Sequence, residues 1–229
     1  MAQPMLVLGR RDVAALLPLE ECIVAVGRAF RLHAEGTTPP PGVLGIHAGE
    51  GGFHLKRVYA FDTDRAQAER FAAAMSAELG IRVEVPGDLG RAVGQSGVCV
   101  TCTPARRPFL RRVDVAPGMF VAAVGADSED KQELDPALLA SSAVVVDILE
   151  QCATIGELHH ALAGSLMTRA DVHAELGEVV AGRKPGRTST DEVIIFDSTG
   201  TALQDVAAAA VVYEKARAAL RGLVLDLAG

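Results

Sequence analysis

From Arg57 onward the chain repeats one pattern of hydrophobic spacing. A short run of consecutive apolar residues is followed by a longer stretch with apolar positions three and four apart, and then by another short run. Val58 to Phe61, Arg82 to Val85, Val98 to Thr103, Phe120 to Val124, Ala143 to Asp147 and Val193 to Phe196 read as strands. Thr63 to Leu79, Asp88 to Val93, Pro136 to Ser141, Cys152 to Ala163 and Arg169 to Val180 read as helices. Gly80 stops the first of these helices and Pro104 breaks the third strand. Continuous apolar strands alternating with helices predict a parallel sheet covered on both faces, a doubly wound α/β fold. Ahead of this region, Val13, Leu16, Leu17, Ile23, Val26 and Phe30 recur at helical spacing between Arg10 and Glu35. Pro18 splits that stretch into two helices, Gly36 ends it, and Pro39 to Pro41 forbid its continuation. Gly42 to Lys56 is glycine-rich, with β-like pieces at Val43-Leu44 and Phe53 to Leu55. A long helix is predicted from Ala202 to Leu220.

The 229 residues suffice for one large domain or two small ones, and a 49% hydrophobic content is that of an ordinary globular chain. A net charge of −7 argues against a nucleic-acid partner, whose phosphates demand a basic face. No apolar run reaches membrane-spanning length and no signal region opens the chain, so the expectation is a cytoplasmic protein without a membrane partner. Four scattered cysteines read as reduced thiols. Cys99 and Cys102 form a C-x-x-C, but residues three apart on a strand point to opposite faces, which argues against a redox or metal pair.

Ligands of open α/β sheets bind at the carboxyl ends of the strands. Asp127 follows a small-residue turn, Val124-Gly125-Ala126, just past one strand, with Lys131 four residues on. Such an acid is either a carboxylate that moves a proton or orients a ligand in a dry cleft, or the cap of a following helix. Asp62 closes another strand, where an acid accepts hydrogen bonds from an adenosine ribose or caps the next helix. Thr101 and Thr103 share a strand face, as cofactor contacts or as plain β-branched residues. Ser198-Thr199-Gly200 offers hydroxyl and amide donors after the last strand, with a helix cap as the alternative. His159, His160 and Glu157 suggest a metal, yet adjacent histidines diverge on a helix, so they are expected to be exposed polar residues and no metal site is assigned. No glycine-rich phosphate turn follows a first strand anywhere in the chain.

Met5 to Ile23, Val100-Thr-Cys-Thr-Pro104, Gly125-Ala-Asp-Ser-Glu-Asp-Lys-Gln-Glu-Leu134 and Phe196-Asp-Ser-Thr-Gly-Thr-Ala-Leu-Gln-Asp205 together resemble the ornithine cyclodeaminase/mu-crystallin family. The resemblance implies a Rossmann domain beside a discontinuous dimerisation and substrate domain. Here these would be residues 57–198 for the Rossmann part and residues 1–56 with 199–229 for the other. It implies a homodimer that uses NAD rather than NADP on a small amino or imino acid, by cyclodeamination, dehydrogenation or imine reduction. It assigns Asp127 as the catalytic carboxylate and Asp62 as the ribose-binding acid. Thr101, Thr103, Val124, Gly125, Ala126, Lys131 and Ser198 become cofactor contacts, and Thr199 touches substrate. Against the family pattern, a long block is missing between Lys56 and Arg57. That block carries a substrate lysine, an arginine, and the first Rossmann strand with its glycine-rich turn. The resemblance therefore implies an incomplete sheet, with a catalytically inactive chain that acts only by protein association as the alternative reading.

Overall fold

A computed structural model describes residues 5–36 and 57–225. Four of the predicted apolar runs pair in parallel, in the order Val98–Thr101, Phe120–Ala123, Ile194–Asp197, Ala143–Val146. Their registers place Thr101, Ala123, Asp197 and Val146 side by side. One row of carboxyl ends thus releases every loop that carries a candidate residue of the motifs after Pro86. Val121, Val144 and Ile195 are fully buried within the sheet, and Leu138, Leu139 and Leu158 of neighbouring helices join the same core. Continuous β-branched and small apolar residues suit strands covered on both faces. The α/β class with a parallel sheet follows from the observed pairing.

The chain divides into two compact units. The larger comprises Ala48–His173 and Arg187–Thr199 and contains this sheet. The smaller comprises Met1–His47, Ala174–Gly186 and Gly200–Gly229. In the larger unit, Val58–Tyr59 pairs in parallel with Val83–Glu84 as a separate ribbon, and Arg106–Leu110 pairs in parallel with Gln132–Leu134 as another. Among the described residues, no strand pairs with the outer edge of Val98–Thr101. The helix Arg65–Leu79 is started by Asp64, whose carboxylate accepts from the amides of Ala66 and Gln67, and ends at Gly80 in the left-handed region (φ 66°).

The smaller unit pairs Met5–Val7 with Leu223–Leu225 in antiparallel fashion. It holds the helices Arg10–Leu16, Leu19–Ala34, Leu176–Val180 and Ala202–Ala218. Pro18 caps the second, where its fixed φ and missing N–H cost nothing. Of the apolar stripe predicted on the first two, Leu16 and Phe30 are buried, whereas Ile23 is 62% exposed. Gly177 lies against the Phe30 carbonyl, 2.8 Å from where a Cβ would stand, so only glycine allows that helix contact.

Two expectations are corrected. The helix predicted from Arg169 to Val180 is a 3-10 turn at Arg169–Asp171, an extended Ala174–Glu175 and the short helix Leu176–Val180. Asp171 closes the turn by accepting from the Thr168 amide and hydroxyl, and the His173 amide goes to the Val144 carbonyl, which holds the backbone extended. The helix predicted from Cys152 to Ala163 is two, Leu149–Ile155 and Glu157–Ala163, broken at an extended Gly156. Arg106–Leu110, which contains Pro108, and Gln132–Leu134 are strands that no apolar run announces. The readings on Pro39 to Pro41 and on Gly42 to Lys56 fall outside the described residues.

Candidate active site

Thr101 ends its strand at 4% exposure, and its hydroxyl oxygen has no hydrogen-bond partner among the described residues. An unbonded buried hydroxyl costs on the order of 1–3 kcal/mol. Thr101→Val is therefore expected to raise the unfolding free energy by about 1 kcal/mol, read by urea denaturation. A loss of stability would show that the hydroxyl is bonded. Thr103 lies beyond the strand end, and both its amide and its hydroxyl donate to Glu133 Oε1, each at 2.7 Å. Its hydroxyl is thus committed inside the protein, and the two threonines do not form one cofactor-facing row.

Glu133 is the residue that the sequence hid. Its carboxylate is wholly buried and also accepts from the Gly125 amide through Oε2 at 3.1 Å. A Cβ on Gly125 would stand 2.4 Å from the Glu133 carboxyl carbon, so the small-residue turn exists to admit this acid. Ala126 is fully buried, while Val124 is 38% exposed. The Glu133 backbone is held in turn by Glu157, whose two carboxylate oxygens accept from the amides of Glu133 (2.7 Å) and Leu134 (3.1 Å). Asp197 then accepts from the amides of Glu157 (3.1 Å) and Leu158 (2.9 Å) at the start of the second helix. Burial pushes Glu157 up to about 8 and Asp197 up to about 7, against the backbone hydrogen bonds that pull the other way. Glu157 is therefore a buried structural acid rather than the exposed polar residue expected beside the histidines.

Asp147 forms the other end of this buried acidic chain. It accepts from the Ser198 hydroxyl (3.0 Å) and the Thr199 amide (2.9 Å) through Oδ2, and from the Ile148 amide (2.7 Å) and the Cys152 thiol (3.0 Å) through Oδ1. Ser198 is buried, so its hydroxyl and the Thr199 amide are tied to protein rather than presented as open donors. Burial raises the Cys152 thiol above its ordinary value, and Asp197 and Asp147 reinforce that. Burial also raises Cys99, to about 11. Cys99 and Cys102 are free thiols, with Cys102 exposed past the strand end.

Asp127 and Lys131 do meet. Lys131 Nζ lies 2.6 Å from Asp127 Oδ1, at the carboxyl end of the Phe120–Ala123 strand. No helix follows; the chain turns and enters Gln132–Leu134, which removes the helix-cap reading. The Asp127 side chain is 57% exposed, so it stands at an open rim and not in the dry cleft anticipated. The Lys131 carbonyl accepts from His160 Nε2 (2.7 Å), which fixes that ring and gives the half-buried histidine a structural partner. Asp62 is exposed and is not the helix cap, a role that Asp64 takes. Its Oδ1 accepts the Asp64 amide at 2.8 Å and shapes the turn. Among the described residues, no group of three or more His, Cys, Asp or Glu could hold a metal ion.

An acid–lysine pair at the carboxyl edge of a parallel sheet and an acid after an outlying strand are common to many α/β enzymes, and comparison with known proteins narrows the choice. The sequence pattern of the ornithine cyclodeaminase/mu-crystallin family matches residues 45–219. The chain belongs to that family. The alanine dehydrogenase of Archaeoglobus fulgidus is 42% identical over 164 residues, which are 72% of this chain and 50% of that protein. An archaeal alanine dehydrogenase dimer solved with bound NAD superposes with a TM-score of 0.82 at 28% identity, covering 98% of this chain and 100% of that one. The Thermococcus litoralis Δ1-pyrroline-2-carboxylate reductase, solved with NADH and L-proline, superposes with a TM-score of 0.69 at 31% identity, covering 72% of this chain and 51% of that one. The chain spans about half the length of the curated relatives that it matches.

Proposed function

We propose that this chain is a nicotinamide-dependent enzyme of the family, using NAD to interconvert a small amino acid and its imino or keto form by dehydrogenation or imine reduction, with cyclodeamination as the related lyase outcome. The observation that carries the reading is the Asp127–Lys131 pair, open to solvent where the central strand Phe120–Ala123 ends. Alanine dehydrogenase and pyrroline-2-carboxylate reductase, two similar proteins, carry those activities in their names. Residues at both ends of a dinucleotide fit the group. Asp62 would accept from the adenosine ribose. The unbonded Thr101 hydroxyl and the backbone of Val124 to Ala126 would face the nicotinamide. Bound there, the cofactor supplies or takes the hydride. Asp127 would hold or give the proton at the substrate nitrogen, and Lys131 would fix its carboxylate. Ser198 and Thr199, tied by Asp147, would shape the last loop, with Thr199 toward the substrate.

The finer expectations belong to the same proposal. An internal block is absent between Lys56 and Arg57, which removes the first Rossmann strand and its glycine-rich turn. Two facts support this. Among the described residues the Val58–Tyr59 ribbon is separate from the main sheet, and the outer edge of Val98–Thr101 lacks a neighbour. The residues of the smaller unit would serve as the dimerisation and substrate domain of a homodimer, like the alanine dehydrogenase dimer. A cytoplasmic location fits a chain in which no described helix is long and apolar enough to cross a membrane.

The test is NADH oxidation with pyruvate plus ammonia, and separately with a cyclic imino acid. Turnover with either is expected, and Asp127→Asn is expected to lower it by about 100-fold or more, the usual worth of a positioned proton-transfer group. Full activity in the variant would overturn the role of Asp127. A second reading, an inactive relative acting by protein association, draws on the edge of Val98–Thr101 that no strand among the described residues covers, where Val98 and Val100 are exposed. It predicts no turnover.

A further inference from the structure

The three loops that leave the sheet at Thr101, Ala123 and Asp197 have no disulfide in common, yet one buried acid locks two of them together. We infer that Glu133 is a positioning residue for the candidate site. Its carboxylate joins the loop after Thr101 to the loop after Ala123, and so sets the platform on which the nicotinamide end of a cofactor would rest. This deepens the proposed function and rests on it for the identity of the ligand, though not for the joining itself.

Glu133 Oε1 takes the amide and the hydroxyl of Thr103, both at 2.7 Å, and Oε2 takes the Gly125 amide at 3.1 Å. One carboxylate therefore satisfies three donors from two separate loops, thirty and eight residues away in sequence. Gly125 must be glycine for the acid to enter. The strand Gln132–Leu134 that carries Glu133 pairs with Arg106–Leu110, and Glu157 holds the Glu133 and Leu134 amides. The acid is thus fixed from behind before it reaches the loops. It is fully buried, with no solvent to replace the bonds if it is lost. Asp127 sits two residues past Gly125, so the turn that Glu133 fixes also sets where that carboxylate stands.

Two readouts test the inference on the full chain. The first is amide hydrogen exchange at Thr103 and Gly125 in wild type and Glu133→Gln. The sheet amides of Phe120, which donates to Gly97, and Ile194, which donates to Met119, report the global state. The variant is expected to speed exchange at Thr103 and Gly125 by about tenfold or more and to leave Phe120 and Ile194 within about twofold. The second is the ratio of NADH to ADP-ribose affinity. A weakened NADH affinity with unchanged ADP-ribose affinity is expected, because only the nicotinamide half would rest on the joined loops. A purely structural loss would weaken both alike. Thr103→Val releases one donor and should give the same pattern in smaller measure, while Thr103→Ser should restore it. That milder pair decides the matter if Glu133→Gln does not fold. Unchanged exchange at both amides, or equal acceleration everywhere, would overturn the inference. Wild type that binds neither nucleotide would overturn the proposed function, while the exchange measurement would still decide whether Glu133 joins the loops.

Discussion

Raising the pH from about 5 to about 9 is expected to destabilise this chain, the reverse of what paired surface carboxylates produce. Asp197 and Glu157 are the cause. Burial lifts them to about 7 and about 8, from ordinary values of 3.8 and 4.5. Between those ordinary values and about 7 to 8 the folded chain keeps protons that the unfolded chain has released. Their favourable contribution is therefore complete below the unfolded values and is lost as the pH climbs through 7 to 8. At 1.36 kcal/mol per pH unit, each group could contribute at most about 4 to 5 kcal/mol. Carboxylates held low by neighbours, such as Asp114 beside Arg111, act below their ordinary range and leave this window untouched. Urea unfolding across the interval reads the slope. Asp197→Asn should roughly halve it, and a stability that rises with pH would refute the assignment.

The second large effect is expected at Gly156. A Cβ there would stand 2.7 Å from Asp197 Oδ2 and 2.9 Å from the Cys152 Cα, neither of which can move aside cheaply. Gly156→Ala should cost about 3 kcal/mol, because overpacking adds to the hydrogen bonds that Asp197 loses at the Glu157 and Leu158 amides. The midpoint of thermal unfolding checks it, and a shift of less than about 2 °C would mean that the buried acid relocates without strain.

Most of the strands were legible because their signal is local. Val144 and Val145 can only be a buried strand, and Gly80 and Asp64 mark their helix ends by conformation and charge alone. The Asp127–Lys131 pair was legible for the same reason, since four residues separate the two groups. Glu133 and Glu157 were not. Each lies among polar neighbours, Lys131-Gln132 and His159-His160, that read as a solvated surface. Their partners are amides in distant segments, which no local window contains. The available hint was a glycine against a buried acid, Gly125 for Glu133 and, for Glu157, Gly156 against the Asp197 that holds the Glu157 amide. Arg106–Leu110 failed for a related reason: Pro108 and two arginines contradict strand propensity, and pairing with Gln132–Leu134 overrides it.

On this proposal the strand ends of the larger unit hold a nicotinamide dinucleotide. Titration of the full chain with NADH, followed through its fluorescence and with Asp62→Ala alongside, decides whether they do. Saturable binding is predicted, weaker than micromolar because the proposed loss of the first strand takes its glycine-rich phosphate turn with it, and weakened about tenfold further when the Asp62 carboxylate is removed. Micromolar affinity would contradict the proposed loss of the first strand and its turn. Failure to saturate at any attainable NADH concentration would contradict the claim itself, leaving a chain that keeps the family's sheet without its cofactor.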